Sequence, residues 1–441
     1  MSFNLGGNGG FSLMRLRILV MLTLCVVLAV VTFAGLLTSS SRTFAIASDY
    51  KVVSFTPQST QWKISYHGAC CEGNIASYGT ATYLLLPELL TGNDIKRSLD
   101  AGRNFTKVYP PADVSVPFGV EGDLRAFGND VIFFGTEVTH GVAAHSNDRG
   151  NTWTVVQIPV AFPANDQSWL YLGPYRISPL QTEPYVLTGW YRIGSVALFS
   201  FDGGLTWPVQ TPLAGLDGEG PAHVVCETVA HAPVHRGDLR IPKASFANMK
   251  AGRHGGWGTD GKFYWSEAKE GSLYVCKTNN FGATWEGTKF RLSTGTPTGY
   301  TVTSFAFDDN GTLYVLHANK LYVSFDLGDS MKYVHTLPRW GNDTSVGDLG
   351  AGEFFVVKGG TIHIGLKEAG PNGTGNIWYL QGKGVDTASP VWTQELVDIV
   401  GAERLDFMQI TVDGNGIPII SYTTPGDDKQ VTTATRLTVP N

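Results

Sequence analysis

The chain has 441 residues, of which 16% are charged, with 53 glycines, 11 tryptophans and a net charge of −6. That balance excludes a disordered chain, which lacks aromatic surface to bury. It also argues against a nucleic-acid partner, because no basic run follows residue 50.

Residues 1–17 read as a cytoplasmic lead. Its glycines, Gly6, Gly7, Gly9 and Gly10, follow no strand and so form no phosphate cradle. Arg15 and Arg17 precede an uncharged run over 18–37. At about 1.5 Å per residue this run spans roughly 30 Å, the core of a bilayer. Its positive flank predicts an N-terminus in the cytoplasm and an exported body. A signal peptide competes with the anchor, because the linker 38–48 contains the A-x-A site Ala45-Ile46-Ala47 and cleavage there leaves Ser48 first. The apolar run exceeds a usual signal core, which favours the anchor. Both readings place the body, 49–441, outside the cytoplasm, membrane-anchored or secreted.

Cysteine usage agrees with export. Cys25 lies in the apolar run, and Cys70, Cys71, Cys226 and Cys276 form an even set outside it. Cys70 and Cys71 are adjacent, so bonds to Cys226 and Cys276 are easier than one between them. Four N-x-[ST] sequons begin at Asn104, Asn310, Asn342 and Asn372.

From residue 49 the chain reads as short strands between Gly, Asp, Asn and Pro turns. Initial strands are expected over 49–55 and 61–66. A first four-strand unit follows over 73–75, 80–86, 95–100 and 105–109. The second is expected over 121–127, 130–135, 141–146 and 153–158, and the third over 166–172, 185–191, 195–201 and from 207. The fourth starts at 223–228, is interrupted by an insert over 230–258, and continues over 262–266, 272–277 and 285–292. The fifth covers 302–307, 312–317, 320–325 and 333–337, and the sixth 354–358, 361–366, 377–380 and 391–396. The seventh has 406–412, 417–422 and 431–436, with 50–55 as the expected fourth strand that closes the ring.

A box of the form S-x-D-x-G-x-T-W punctuates these units. It reads SNDRGNTW from Ser146 and SFDGGLTW from Ser200. Variants begin at Ser98 (SLDAGRNF), Thr278 (TNNFGATW) and Ser324 (SFDLGDSM). The Asp is expected to accept bonds from backbone N–H groups two or three residues on, and the Gly to supply a positive φ. The terminal aromatic then packs beneath the turn. The box is therefore a structural staple, and its Asp is not a candidate catalytic acid. Successive starts are 48, 54, 78 and 46 residues apart. A period near 50 matches four-stranded propeller blades. The expected fold is all-β, a β-propeller of about seven blades, with six as the alternative.

The boxes resemble the Asp-box, or BNR, repeat of the sialidase superfamily, and the resemblance covers nearly all of 70–425. The blade-start phrases EGDL (121–124), DQSWL (166–170) and RLDFMQI (404–410) are similar to those of secreted microbial sialidase-like proteins. This resemblance implies a propeller that removes terminal sialic acid from extracellular glycans or glycoproteins. Boxes of this kind also occur on non-enzymatic propellers, so a glycan- or protein-binding propeller, or an assembly factor, is the alternative.

A sialidase needs arginines for the substrate carboxylate, a tyrosine nucleophile with a carboxylate partner, and an acid for the leaving group. Leu239-Arg240-Ile241-Pro242 resembles the family's F-R-I-P motif, although here it follows the third box and in the family it precedes the first. Arg240, Arg404 and Arg192 are the candidate arginines, Tyr191 the candidate nucleophile, and Asp123, Asp166 and Asp406 the candidate acids. The competing reading of each arginine is a surface or strand-end residue.

Acids also gather where first strands begin: Glu72, Asp123, Asp166 and Asp406, with Glu227 as a fifth. Converging at one mouth of a propeller channel, the first four would suit Ca²⁺, the one metal expected. The alternative is that each caps a strand or bonds a neighbouring blade. His231 and His235 flank a Pro, which disfavours a zinc-binding helical face and leaves a solvated loop. Arg253 and Trp257 are expected on a rim over the channel. No P-loop, dinucleotide fingerprint or G-x-S-x-G occurs.

Overall fold

The computed structural model describes residues 61–68, 73–87, 93–110, 119–137, 140–161, 168–173, 183, 185–191, 196–212, 255–269, 272–291, 303–308, 310–317, 320–336, 355–369, 375–385, 391–400, 408–424 and 430–440. They form seven antiparallel four-stranded sheets. The lead, the apolar run and the linker lie outside the described residues.

Blade one is β2 (Asn74–Tyr78), β3 (Ala81–Leu86), β4 (Asp94–Ser98) and β5 (Thr106–Tyr109). Blade two is β6 (Gly119–Phe127), β7 (Asp130–Glu137), β8 (His140–Ser146) and β9 (Thr154–Ala161). Blade three is β10 (Ser168–Gly173), β11 (Val186–Tyr191), β12 (Val196–Ser200) and β13 (Val209–Pro212). Blade four is β14 (Gly255–Trp257), β15 (Phe263–Lys269), β16 (Ser272–Thr278) and β17 (Glu286–Arg291). Blade five is β18 (Thr303–Phe307), β19 (Leu313–His317), β20 (Lys320–Ser324) and β21 (Lys332–Thr336). Blade six is β22 (Phe355–Lys358), β23 (Thr361–Ala369), β24 (Gly375–Lys383) and β25 (Val391–Val400). Blade seven joins β26 (Gln409–Val412), β27 (Pro418–Thr424) and β28 (Gln430–Arg436) to β1 (Trp62–Tyr66).

The first strands touch in a closed cycle, β2–β6–β10–β14–β18–β22–β26 and back to β2. The sheets therefore stand around one axis, and the six-bladed alternative is ruled out. The apolar cores lie between blades. Ala76 and Tyr83 of blade one cluster with Leu124 and Phe133 of blade two. Ile75 and Leu84, on the other face of blade one, cluster with Ile419 and Val431 of blade seven. Alternate residues of a strand serve opposite neighbours, which follows from the period of two. Each fully buried Leu, Ile or Phe contributes about 1.5–3 kcal/mol.

Two expected strands move. The closing strand is Trp62–Tyr66, paired with Thr432 to Arg436, and residues 50–55 lie outside the described part. The first strand of blade four is Gly255–Trp257, whereas 223–228 lies outside the described residues. Trp257 is accordingly no rim residue. It is 5% exposed, packs on Phe263 and Phe199, and donates its indole N–H to Thr188 Oγ1 at 3.0 Å. Its neighbours are tight enough that a Cβ on Gly255 would sit 2.8 Å from Phe263.

Strands alternate in direction. Turns joining first to second and third to fourth strands therefore share one end of the ring, and the other turns share the opposite end. All five boxes lie between third and fourth strands. The turn ahead of β7 meets the box after β8 at that end, where Arg149 N–H donates to Asn129 O at 2.8 Å.

Candidate functional site

The boxes share one bonding scheme. In the second, Ser146 Oγ donates to Asp148 Oδ1 at 2.8 Å and accepts from Gly150 N–H at 2.7 Å. Asp148 accepts from Asn151 N–H, Thr152 N–H and Thr152 Oγ1. The bonds thus reach three and four residues on, one further than a simple Asx-turn. Trp153 lies beneath and donates its indole N–H to Gly150 O at 3.1 Å. The same Ser–Asp–Gly links recur from Ser98, Ser200 and Ser324, and Thr278 with Asn280 reproduces them. Partial burial acts to raise the Asp100 pKa, but bonds from Ser98 and Asn104 outweigh it and hold the group down to about 2. A carboxyl held so low is a poor proton donor near neutral pH.

The first, second and fourth boxes also grip the preceding blade. Arg97 of blade one donates to Arg149 O at 2.6 Å. Thr211 of blade three donates to Phe281 O at 2.7 Å, and Thr435 of blade seven to Gly102 O at 2.9 Å. This end of the ring is committed to holding blades together.

The opposite end is where first strands begin, and a buried polar chain links the first strands of blades seven, one, two and three. Gln409 Oε1 of blade seven accepts from Ile75 N–H of blade one at 3.1 Å. Asn74 Nδ2 of blade one donates to Asp123 Oδ1 of blade two. Asp123 Oδ2 accepts from Leu170 N–H of blade three at 2.8 Å. Asp123 Oδ1 also accepts from Leu124 N–H and from Arg125 NH1, the latter at 2.6 Å. Asp123 and Arg125 are both 2% exposed. They lie two residues apart, on one face of β6, so the strand period brings them together. Sequence reasoning missed Arg125; the D-x-R spacing on a first strand was the available signal.

Asp123 therefore bonds neighbouring blades and pairs with a guanidinium. A cation at Asp123 would have to displace that guanidinium. Of the other expected ligands and acids, Glu72, Asp166 and Asp406 lie outside the described residues, as do Arg192, Arg240, Arg404 and Arg253. Among the described residues, no group of three His, Cys, Asp or Glu side chains could hold a metal ion. Tyr191 is the last residue of β11, and its backbone pairs with Ser168, the first residue of β10. It therefore stands at the end of blade three away from the boxes. Cys276 is wholly buried in β16 and disulfide-bonded, with its partner outside the described residues.

No family model and no curated protein matches the sequence. Solved structures similar to it include a Trypanosoma rangeli sialidase at 10% identity, covering 84% of this chain and 55% of that one, with a TM-score of 0.35. The chain spans about half the length of that enzyme. The intramolecular trans-sialidase from Ruminococcus gnavus is 9% identical over 83% of this chain and 94% of its own, with a TM-score of 0.37. The WD40 domain of SCAP from fission yeast is 9% identical over 87% and 92%, with a TM-score of 0.39. By its own strand pairing the chain is a seven-bladed β-propeller, with sialidases and WD40 domains among its structural neighbours.

Proposed function

We propose that the chain is a sialidase-like propeller, exported and either membrane-anchored or secreted, that acts on glycans at the end of the ring away from the boxes. The observation that carries this reading is the Ser168–Tyr191 pairing. It sets Tyr191 at that end, and in sequence Asp166 precedes Ser168 by two residues while Arg192 follows Tyr191 directly. A phenol, a carboxyl and a guanidinium are the groups that sialoside hydrolysis needs: a nucleophile, an acid and a carboxylate clamp. Arg240, Arg404 and Asp406 are proposed to complete the set, with Glu72 and Asp406 available to calcium.

The test is release of 4-methylumbelliferone from its sialoside by the purified full-length chain, with and without calcium. Turnover that falls at least about 100-fold in Tyr191→Phe and in Arg404→Ala is expected, the scale of losing a group that acts in the transition state. Turnover unchanged in both variants would refute the assignment of these residues.

A second reading is a non-catalytic binding propeller. It is favoured by the bonding of Asp123, the carboxylate that β6 buries, to Asn74, Leu124, Arg125 and Leu170 within the ring. Folded protein that never turns over the sialoside but retains a sialylated glycan on an array would decide for it.

A further inference from the structure

Two of the four N-x-[ST] sequons lie among the described residues, at Asn104 and Asn310, and both sit at the box end of the ring. Their surroundings differ. Asn104 occupies the Thr position of the first box and does the work of that Thr. Its backbone N–H donates to Asp100 Oδ1 at 2.9 Å, and its side-chain nitrogen donates to Asp100 Oδ2 at 2.6 Å. Its side-chain oxygen accepts from Lys63 Nζ at 3.1 Å. The box thus accounts for this asparagine, and both ends of its amide are engaged.

Asn310 caps the turn between β18 and β19. Asp308 Oδ1 accepts from the backbone N–H groups of Asn310 and Thr312, at 2.9 and 2.8 Å, so the carboxylate holds the turn through the main chain. Gly311 reverses the chain at φ 84°. The Asn310 side chain is exposed and contributes no bond to this arrangement. Blade seven repeats the turn at Asp413, where Ile417 stands in place of the sequon Thr. The turn itself therefore has no need of a hydroxyl at that position.

We propose that Asn310 is an N-glycosylation site and that Asn104 remains unmodified in the folded protein. The inference rests on the reading that the body is exported. The modification joins the Asn310 amide nitrogen to the anomeric carbon of a lipid-pyrophosphate-linked oligosaccharide. The bond from that carbon to the pyrophosphate breaks, the lipid pyrophosphate leaves with the electron pair, and the nitrogen gives one proton to the transferase base. One N–H remains, and no redox partner is needed. A glycan on Asn310 projects from an exposed turn without touching the hydrogen bonds that shape it. A glycan on Asn104 would have to be housed where the amide is clamped between Asp100 and Lys63. Sugar at Asn310 would also keep the box end from docking and leave the opposite end free.

The full-length chain made in a eukaryotic secretory host tests this. Peptides are mapped after enzymatic glycan removal in heavy-oxygen water, which converts a glycosylated Asn to labelled Asp. Label at Asn310 and none at Asn104 is expected. Asn310→Gln and Thr312→Ala should each remove one glycan from the mass, and Thr312→Ser should keep it. An unlabelled Asn310 beside sugar at Asn342 or Asn372 would overturn the site alone. No sugar anywhere would overturn the export reading with it. Label at Asn104 in secreted, folded protein would overturn the selectivity.

Discussion

At the scale of single residues, burial sets the chemistry. His363 in β23 is 4% exposed, and its Nδ1 lies 2.6 Å from the Tyr379 hydroxyl. Burial, then the charges of Lys358 and Lys383, pull its pKa down to about 4. His67 is drawn down to about 4 as well, by burial and then Lys96. Between the unfolded value near 6.5 and about 4, the unfolded chain binds protons that the native ring refuses. Stability is therefore full above about pH 6.5 and declines as pH falls toward 4. His363 alone accounts for at most about 3 kcal/mol of that decline. Urea unfolding at pH 7 and pH 4.5 should show the loss, and His363→Gln should flatten it. An unchanged slope in that variant would contradict the burial argument. Asp123 teaches a related lesson. Its acidity suggested a catalytic or calcium role, yet its oxygens bind Asn74, Leu124, Arg125 and Leu170. Asn74 and Leu170 lie in other blades, about one repeat away in sequence, so no local pattern announced them.

At the scale of elements, the box shows what sequence can carry. The Ser, Asp, Gly and aromatic each perform a nameable bond or contact, so their spacing was readable. The residue before the Gly was not. It too has positive φ: Ala101 at 60°, Arg149 at 61°, Phe281 at 57° and Leu327 at 56°, with Gly203 at 74° in the third box. A side chain there costs about 1 kcal/mol or more relative to glycine. Ala101→Gly is accordingly expected to be neutral or to stabilise by up to about 1 kcal/mol, despite the entropy that glycine adds to the unfolded chain. Gly102→Ala should do the opposite, because its φ is 76° and a Cβ would lie 2.8 Å from Ile419 and 2.9 Å from Thr435. Paired denaturation midpoints for these two variants separate backbone strain from side-chain packing. Equal losses would count against the strain account. The elements that sequence misplaced lack such local signals. Gly255–Trp257 has two glycines and no apolar alternation, and its strand character comes from packing beneath Tyr171 and Trp265. The expected closing strand was 50–55, as the fourth strand of the seventh unit, and the strand that pairs with β28 is Trp62–Tyr66. Trp62–Tyr66 is marked by partners more than 300 residues away.

At the scale of the molecule, closure is the decisive event, and those distant partners define it. Glu395 in the outer strand of blade six accepts the Trp62 indole N–H at 2.9 Å. It also takes two parallel bonds from Arg436, each at 3.0 Å. Arg436 reaches Gln61 Oε1 at 2.6 Å as well. One carboxylate thus fastens both the first described strand and the last one to blade six. The pairing of Trp62–Tyr66 with β28 covers an edge that would otherwise stand open. Arg436 is 6% exposed, so removing its partner strands a nearly buried cation. Glu395 is itself partly exposed, which discounts the full penalty of a buried pair. Glu395→Ala is expected to cost about 2 kcal/mol. The loss should fall on the opening of the ring. Hydrogen exchange should quicken in β1 and β28 before it does in β7 or β11, whose neighbours on both sides are intact. Arg436→Met removes the cation and keeps its bulk, so combining it with Glu395→Ala should recover part of the loss. Uniform acceleration across all seven blades would mean that the ring opens cooperatively at every seam, and that this latch holds no special place in it.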